Sequence, residues 1–581
     1  MKTTALISLM FALALASCAT TQRGPQGAPA ALRSEVREAD AAYERGDYEA
    51  AFALYLGAAT KGHVGSQVMV ARMYEEGQGV TKDYREAFRW YKMAAEEGQE
   101  IAQNNLGVMY ALGQGVRKDY QAALKWYVRS AEQGYVIAQN NVGAAYENAQ
   151  GIERDYREAL RWYKRAADQG HGASQNNLGS MYEHGRGVPK DFDEAMRWYR
   201  LAADRGNAFA EFNIGMMYYD GKGVEQNYGE AYRWLRLAAD QGYSDAQTNI
   251  AHMLMYGEGV KRDPKEGMRW YRLAADQGNA HAQFCIAQYY LEESAEEGSR
   301  KQGAEWMRKA AENGSALART NLGYLYAEGI GVARDPKEAV RWYRLAAEQG
   351  FAMAQFNLGV KYGEGQGVNQ NLGEAMKWYL KAAEQNFPNA QFNIGWMYAE
   401  GLGVRQDYAL AAKWYRLAAG QGYPEALFNL GMLYSDGTGV GKDPQEALRL
   451  FREAAALKFA PAQYNLGVKY REGDGVPQDY KEAVKWFRLA ADQGYRDARH
   501  NLAMMYVDGL GVRRDYAEAV RWFLLAAAQG DAEAKCTLAE MYAQGLGVKK
   551  DLGQARRLVR EGYAAGGTNC RTVMDEYQLS K

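Results

Sequence analysis

The chain has 581 residues, 47% of them hydrophobic, and its 70 Lys and Arg are balanced by 71 Asp and Glu. That balance excludes the uniform basic footprint that nucleic-acid binding requires and leaves only local stripes of charge. Four cysteines without CxxC spacing and six histidines without HExxH spacing likewise leave no metal site legible in the sequence.

In chain order, Met1-Lys2 is a short basic start, residues 5–14 are almost wholly apolar, and Leu15-Ala16-Ser17-Cys18 sets small residues before a cysteine. The apolar run is too short to span a bilayer, so residues 1–17 read as a signal peptide. Leu-Ala-Ser-Cys resembles the lipobox of bacterial lipoproteins, which implies lipid attachment at Cys18. Ala19 behind it is similar to the outer-membrane class, so the implied location is the bacterial envelope, facing the periplasm. An ordinary signal peptide cleaved nearby is the alternative. Residues 18–35, with Gln, Gly, Pro and Ala, read as the lipidated N-terminus and a flexible tether.

A shorter opening unit follows at 36–62, marked by Ala41-Ala42-Tyr43 and Gly46-Asp47-Tyr48. From Gly62 to Gly566 a glycine recurs every 36 residues, at thirteen of fifteen positions; Asn386 and Lys458 break the series. Twelve tryptophans, from Trp90 to Trp522, keep the same step. A fixed period of this length predicts a stack of identical helical units rather than an enzyme core.

Residues 99–134 show how one unit works. Ala102, Leu106 and Tyr110 form one apolar stripe on a first helix, with Gly107 beside it for close approach. Gly113-x-Gly115 ends that helix, Val116 plugs the loop, and Asp119 caps a second helix. Ala123, Trp126, Tyr127 and Ala131 give the second helix its buried face. Each unit is thus an antiparallel helix pair that cannot bury its apolar face alone.

The pattern LG-x-x-Y, G-x-G-V, D-x-x-x-A-x-x-W-[YF]-x-x-A-A and G resembles the Sel-one-like repeat, a relative of the tetratricopeptide repeat with a longer loop. It recurs across 63–566 in fourteen units. The resemblance implies an all-α, right-handed superhelical α-solenoid whose first helices line the concave surface. Within it, 36–62 is similar to a tetratricopeptide-type N-terminal cap, and 567–581 forms a partial C-terminal cap.

Residues 279–314 depart from the pattern: Glu292 to Glu297 replace the loop glycines, and no Asp cap stands at Ser299. Gly267 and Gly303 take the place of the second-helix alanine, each weakening its helix by about 1 kcal/mol. A hinge at 257–310 and a locally extended helix that packs normally are both open. Cys536 and Cys570 fall on neighbouring units, where an end-stapling disulfide is an open option in an oxidising compartment.

On the first helix, positions equivalent to 101, 104, 105, 108 and 112 lie opposite the apolar stripe and are expected to line the groove. Asn recurs at the equivalent of 105, including Asn357, Asn393, Asn429 and Asn465. Those amides either fix the stacking angle or hold the backbone of an extended peptide. Beside them stand Phe356, Phe392, Phe428 and Tyr464, with Trp396 one turn on from Phe392 and Glu364 and Glu400 at the helix ends. An aromatic groove with an acidic lip suits an extended segment carrying apolar side chains and Lys or Arg. The same rings could instead pack sideways between successive first helices.

The predicted function is a non-catalytic, lipid-anchored adaptor that binds a protein or extended peptide. A structural envelope spacer and a peptidoglycan- or glycan-binding module are the alternatives. Gly-x-Gly here always ends a helix and never follows a strand, so neither nucleotide nor other cofactor is expected. Some relatives carry a β-lactamase label, but Ser-x-x-Lys, Ser-Asp-Asn and Lys-Thr-Gly are all missing from the chain.

Overall fold

The computed structural model describes residues 30–293 and 296–579; the signal peptide, Cys18 and the tether as far as residue 29 lie outside them. Every regular element among the described residues is a helix. The chain forms two compact units, one ending at Ala282 and the other starting at Gln283, and each is a stack of helix pairs.

The pair Glu100–Leu112 and Tyr120–Glu132 is representative. Asp119 caps the second helix by accepting from the backbone N–H of Gln121 and Ala122 at 2.9 and 3.0 Å. Gly113, at φ 73°, ends the first helix with its N–H on the Met109 carbonyl, 2.9 Å away. Between the two helices Ala102, Leu106, Ala123, Tyr127 and Ala131 are buried. A Cβ on Gly107 would stand 2.7 Å from the Tyr127 ring, so the first helix needs glycine where that ring crosses it. Trp126 is half-buried and packs back against the core of the preceding repeats.

Two contacts set how one pair sits on the next. The second loop glycine touches the preceding repeat: a Cβ on Gly115 would lie 2.0 Å from the Tyr84 carbonyl oxygen, and one on Gly367 2.1 Å from that of Pro336. A buried glutamine supplies the other. Gln103 donates to the Ala95 carbonyl of the preceding second helix at 3.1 Å and accepts from Gln133 at 2.8 Å. Gln139, Gln355 and Gln463 repeat both bonds. Because a buried amide left unpaired costs about 1–3 kcal/mol, these bonds hold the stacking register.

Residues 30–35 are not tether. They open the helix Ala30–Glu44, on which Val36, Ala39 and Ala42 are buried and Glu35 pairs with Lys61 at 2.6 Å. Spacing of three residues puts those apolar side chains on one face, and that burial continues the helix upstream of residue 36. At the other end the short helix Cys570–Glu576 closes the second unit, with Val573 and Leu579 buried.

Gly267 and Gly303 are not simply weak points. A Cβ on Gly267 would stand 3.0 Å from the Ala251 carbonyl, and one on Gly303 2.7 Å from Leu291 Cγ and 3.1 Å from the Ala287 carbonyl. Ala251 and Ala287 occupy the first-helix place held by Gly107 in its own repeat. In these two pairs the glycine has moved across the contact from the first helix to the second, and close approach is retained. Near Ser299 the second helix starts early and spans Glu297–Glu312, while Ser299 donates to the Tyr290 carbonyl at 2.7 Å. The boundary between the two compact units falls inside 257–310.

Asn386 and Lys458, the two exceptions to the glycine lattice, adopt φ 60° and 63°. The period therefore imposes a left-handed residue there whatever the side chain. Lys458→Gly should raise stability by about 0.5–1 kcal/mol, because the strain relieved exceeds the entropy that glycine loses. The midpoint of urea unfolding measures it.

Candidate functional site

Seven residues make nearly two helical turns, so the equivalents of 101, 105, 108 and 112 lie along one line of each first helix. In the second unit that line is chemically regular. It reads Leu317, Asn321, Tyr324 and Glu328 on Ala316–Glu328, then Met353, Asn357, Val360 and Glu364 on Ala352–Glu364. On Pro388–Glu400 it reads Asn389, Asn393, Trp396 and Glu400. Tyr324 is 51% exposed, Met353 45% and Trp396 46%.

The equivalents of 104 are not on this face. Phe356, Phe392, Phe428 and Tyr464 are half-buried, each wedged between its own second helix and the start of the next repeat. Phe392 lies 5.6 Å from the Tyr415 ring and 5.3 Å from Tyr423; Tyr464 lies 5.9 Å from Phe487 and 5.3 Å from Tyr495. The rings therefore take the sideways packing. The exposed side chains of this line are instead Trp396 and Tyr324, at equivalents of 108, and Leu317 and Met353, at equivalents of 101.

The asparagines bind the stack as well as bordering the face. In the first unit Asn141 donates to Asn104 at 3.0 Å, Asn177 to Asn140 at 3.1 Å and Asn213 to Asn176 at 2.9 Å, each reaching the preceding repeat. In the second unit Asn501 donates to the Tyr464 hydroxyl at 3.1 Å, and Asn465 approaches Met432 Sδ at 3.5 Å. Asn393 and Asn429 meet the hydroxyls of Tyr379 and Tyr415, whose pKa values burial pushes up to about 12 against the effect of those amides. Asn321 instead caps its own helix turn at the Leu317 carbonyl. Asn357 is half-buried.

Glu328, Glu364, Glu400 and Asp436 are exposed at the helix ends and make no ion pair among the described residues. The cations on the same helices are committed elsewhere: Arg319 donates to the Ala311 carbonyl and Lys361 to Gln366. In the first unit the corresponding line reads Glu76, Leu112, Asn148, His184, Asp220 and Tyr256, and its two acids are paired, Glu76 with Arg72 and Asp220 with Lys222.

Cys536 and Cys570 are joined, with S–S 1.97 Å and Cα–Cα 4.8 Å. Ordinary helix spacing argues against so short a separation, but Gly562 and Gly567 make room for it. A Cβ on either would stand 2.6 Å or less from a sulfur. Among the described residues no group of three or more His, Cys, Asp or Glu is placed to hold a metal ion, and no helix is long and apolar enough to cross a membrane.

The Sel1 repeat pattern matches fifteen consecutive segments, a short one at 41–63 and then fourteen from 64–99 to 532–567. Among solved structures, a protective antigen of uropathogenic Escherichia coli strains with an SLR fold is 30% identical, over 85% of this chain and 91% of that one, at TM-score 0.48. A Sel1 repeat protein from Oxalobacter formigenes is 32% identical, over 56% of this chain and 93% of the other, at TM-score 0.46. No curated protein matches significantly.

Proposed function

Since the chain belongs to the Sel1 repeat family, whose solenoids typically serve as protein-interaction scaffolds, we propose that it is a non-catalytic adaptor that captures a protein or extended peptide on the first-helix face of its second unit. The observation that carries this reading is the exposure of Tyr324 and Trp396, each one turn from a carboxylate (Glu328, Glu400) with no ion-pair partner among the described residues. Large apolar side chains gain most from being covered, and aromatic anchors dominate many interfaces. The adaptor is held by a lipid on Cys18 at the outer membrane and faces the periplasm. The Cys536–Cys570 disulfide supports an oxidising compartment of that kind.

The test is site-directed photocrosslinking in intact cells. A photoreactive residue at Trp396 should give a discrete adduct, whereas one at Lys377, exposed on a second helix, should give none. Equal labelling at both positions, or none at Trp396, would count against the reading. Palmitate labelling lost in Cys18→Ala tests the anchor separately.

A further inference from the structure

We propose that Glu211 is a proton-operated latch between two repeats of the first unit: protonated, its carboxyl closes the joint between Phe192–Ala203 and Ala208–Asp220, and ionised, it loosens that joint. The device stands apart from the adaptor reading, which concerns the second unit.

Glu211 occupies the place of the stacking glutamine. Of the fourteen equivalents of 103, nine are Gln and Glu211 is the one acid. Wherever this position bonds to the preceding second helix, it donates. Gln175 donates to the Ala167 carbonyl and Gln247 to that of Ala239, each at 3.2 Å. Arg319 and Arg499 do the same to Ala311 and Ala491, at 2.9 and 3.1 Å. Leu427 has no polar group to offer, and Lys535 pairs with Glu561.

The corresponding carbonyl for Glu211 is that of Ala203. It accepts from the Gly206 N–H at 2.7 Å, and its second lone pair is the one that its equivalents share with the glutamine amide. Glu211 keeps the other half of the arrangement, accepting from Gln241 Nε2 at 2.7 Å as Gln103 accepts from Gln133. Its remaining oxygen therefore takes the place of the amide nitrogen. A carboxylate there sets one acceptor against another, whereas the O–H of the acid can donate to Ala203 and restore the bond.

The residue is 5% exposed, and no ion pair among the described residues balances its charge. Charged side chains on the elements around it are engaged with other groups or turned to solvent. Arg200 donates to the Tyr218 hydroxyl and Arg205 to the Leu201 carbonyl, Arg236 pairs with Asp240, and Asp245 accepts from Asn279. Asp204 is exposed. Burial holds the Glu211 carboxyl above its ordinary value of 4.5, with the Gln241 amide pulling the other way. The folded chain thus binds this proton more readily than the unfolded one. The bond is fully present below the ordinary carboxylate value and is lost as pH rises through the raised one. Acid tightens the joint; neutrality loosens it.

The test is Glu211→Gln in the full chain, compared with the unaltered protein by amide hydrogen exchange over residues 192–220, corrected for intrinsic rates. At about pH 7 the variant should exchange about tenfold more slowly there, because glutamine supplies the missing donor. At about pH 4 the two proteins should agree within about twofold, since the protonated acid donates as glutamine does. Gln247→Glu is the reciprocal variant: exchange over residues 228–256 should quicken about tenfold at about pH 7 and recover in acid. A Glu211→Gln difference of equal size at both pH values, or none at about pH 7, overturns the latch.

Discussion

Trp270→Ala should lower the stability of the first unit by about 3–5 kcal/mol, read as a fall in the midpoint of chemical or thermal unfolding. Trp270 is 7% exposed, and the Arg236 guanidinium of the preceding repeat lies 4.8 Å from its ring centre. Its indole N–H has no acceptor among the described residues, so the ring stabilises by apolar burial and stacking rather than by a hydrogen bond. Trp270→Phe should accordingly recover most of the loss. A repeat array is held by nearest-neighbour contacts, so the alanine variant should also broaden or split the transition. A single transition at the unaltered midpoint would show that the lattice tryptophans do not hold neighbouring repeats together.

Gly115→Ala carries the second large effect, about 2–5 kcal/mol, from two costs at one atom. At φ 69° any L side chain is strained by about 1–2 kcal/mol. The new Cβ would also sit 2.0 Å from the Tyr84 carbonyl oxygen and 2.9 Å from the Arg85 nitrogen, both backbone atoms of a neighbouring helix. Relieving that overlap means shifting one repeat against the next, at about 1–3 kcal/mol. Gly98→Ala is the control: its φ is 92°, but no atom lies within 4 Å of the added Cβ. It should lose only the conformational part. Equal losses in the two variants would mean that the loop glycine serves the turn and not the stacking.

The difference between these glycines illustrates how sequence and structure divide the information. Both recur at fixed steps, and recurrence alone marks both as required. Only the Tyr84 carbonyl beside one of them tells a contact from a turn. Glutamine shows the converse. Gln67, Gln103, Gln139, Gln175, Gln247, Gln283, Gln355, Gln391 and Gln463 recur at nine of fourteen positions, somewhat less often than the asparagines two places on. In sequence that recurrence carries little signal, because glutamine is an ordinary helix residue, whereas a mid-helix asparagine calls for a reason. Burial revealed the role.

The exposed face of the first helices divides in the same way. Helical periodicity placed the equivalents of 101, 104, 105, 108 and 112 on one arc, which includes both the rings at 104 and the residues at 108. An arc of that width spans surface and interface alike. Which part faces solvent depends on how the next repeat leans, and that lean is set by long-range contacts. Phe392 therefore turned inward against Tyr415 and Tyr423, while Trp396 stayed out.

The sequence by itself determined the helix pairs, their caps, the period and the residues at their cores, because each follows from spacing within some three dozen residues. Tertiary structure alone decided that Cys536 meets Cys570, that the glycine of two repeats has crossed to the second helix, and that Tyr324 and Trp396 rather than the phenylalanines meet solvent. Those outcomes depend on distances between neighbouring repeats, which a linear period does not encode.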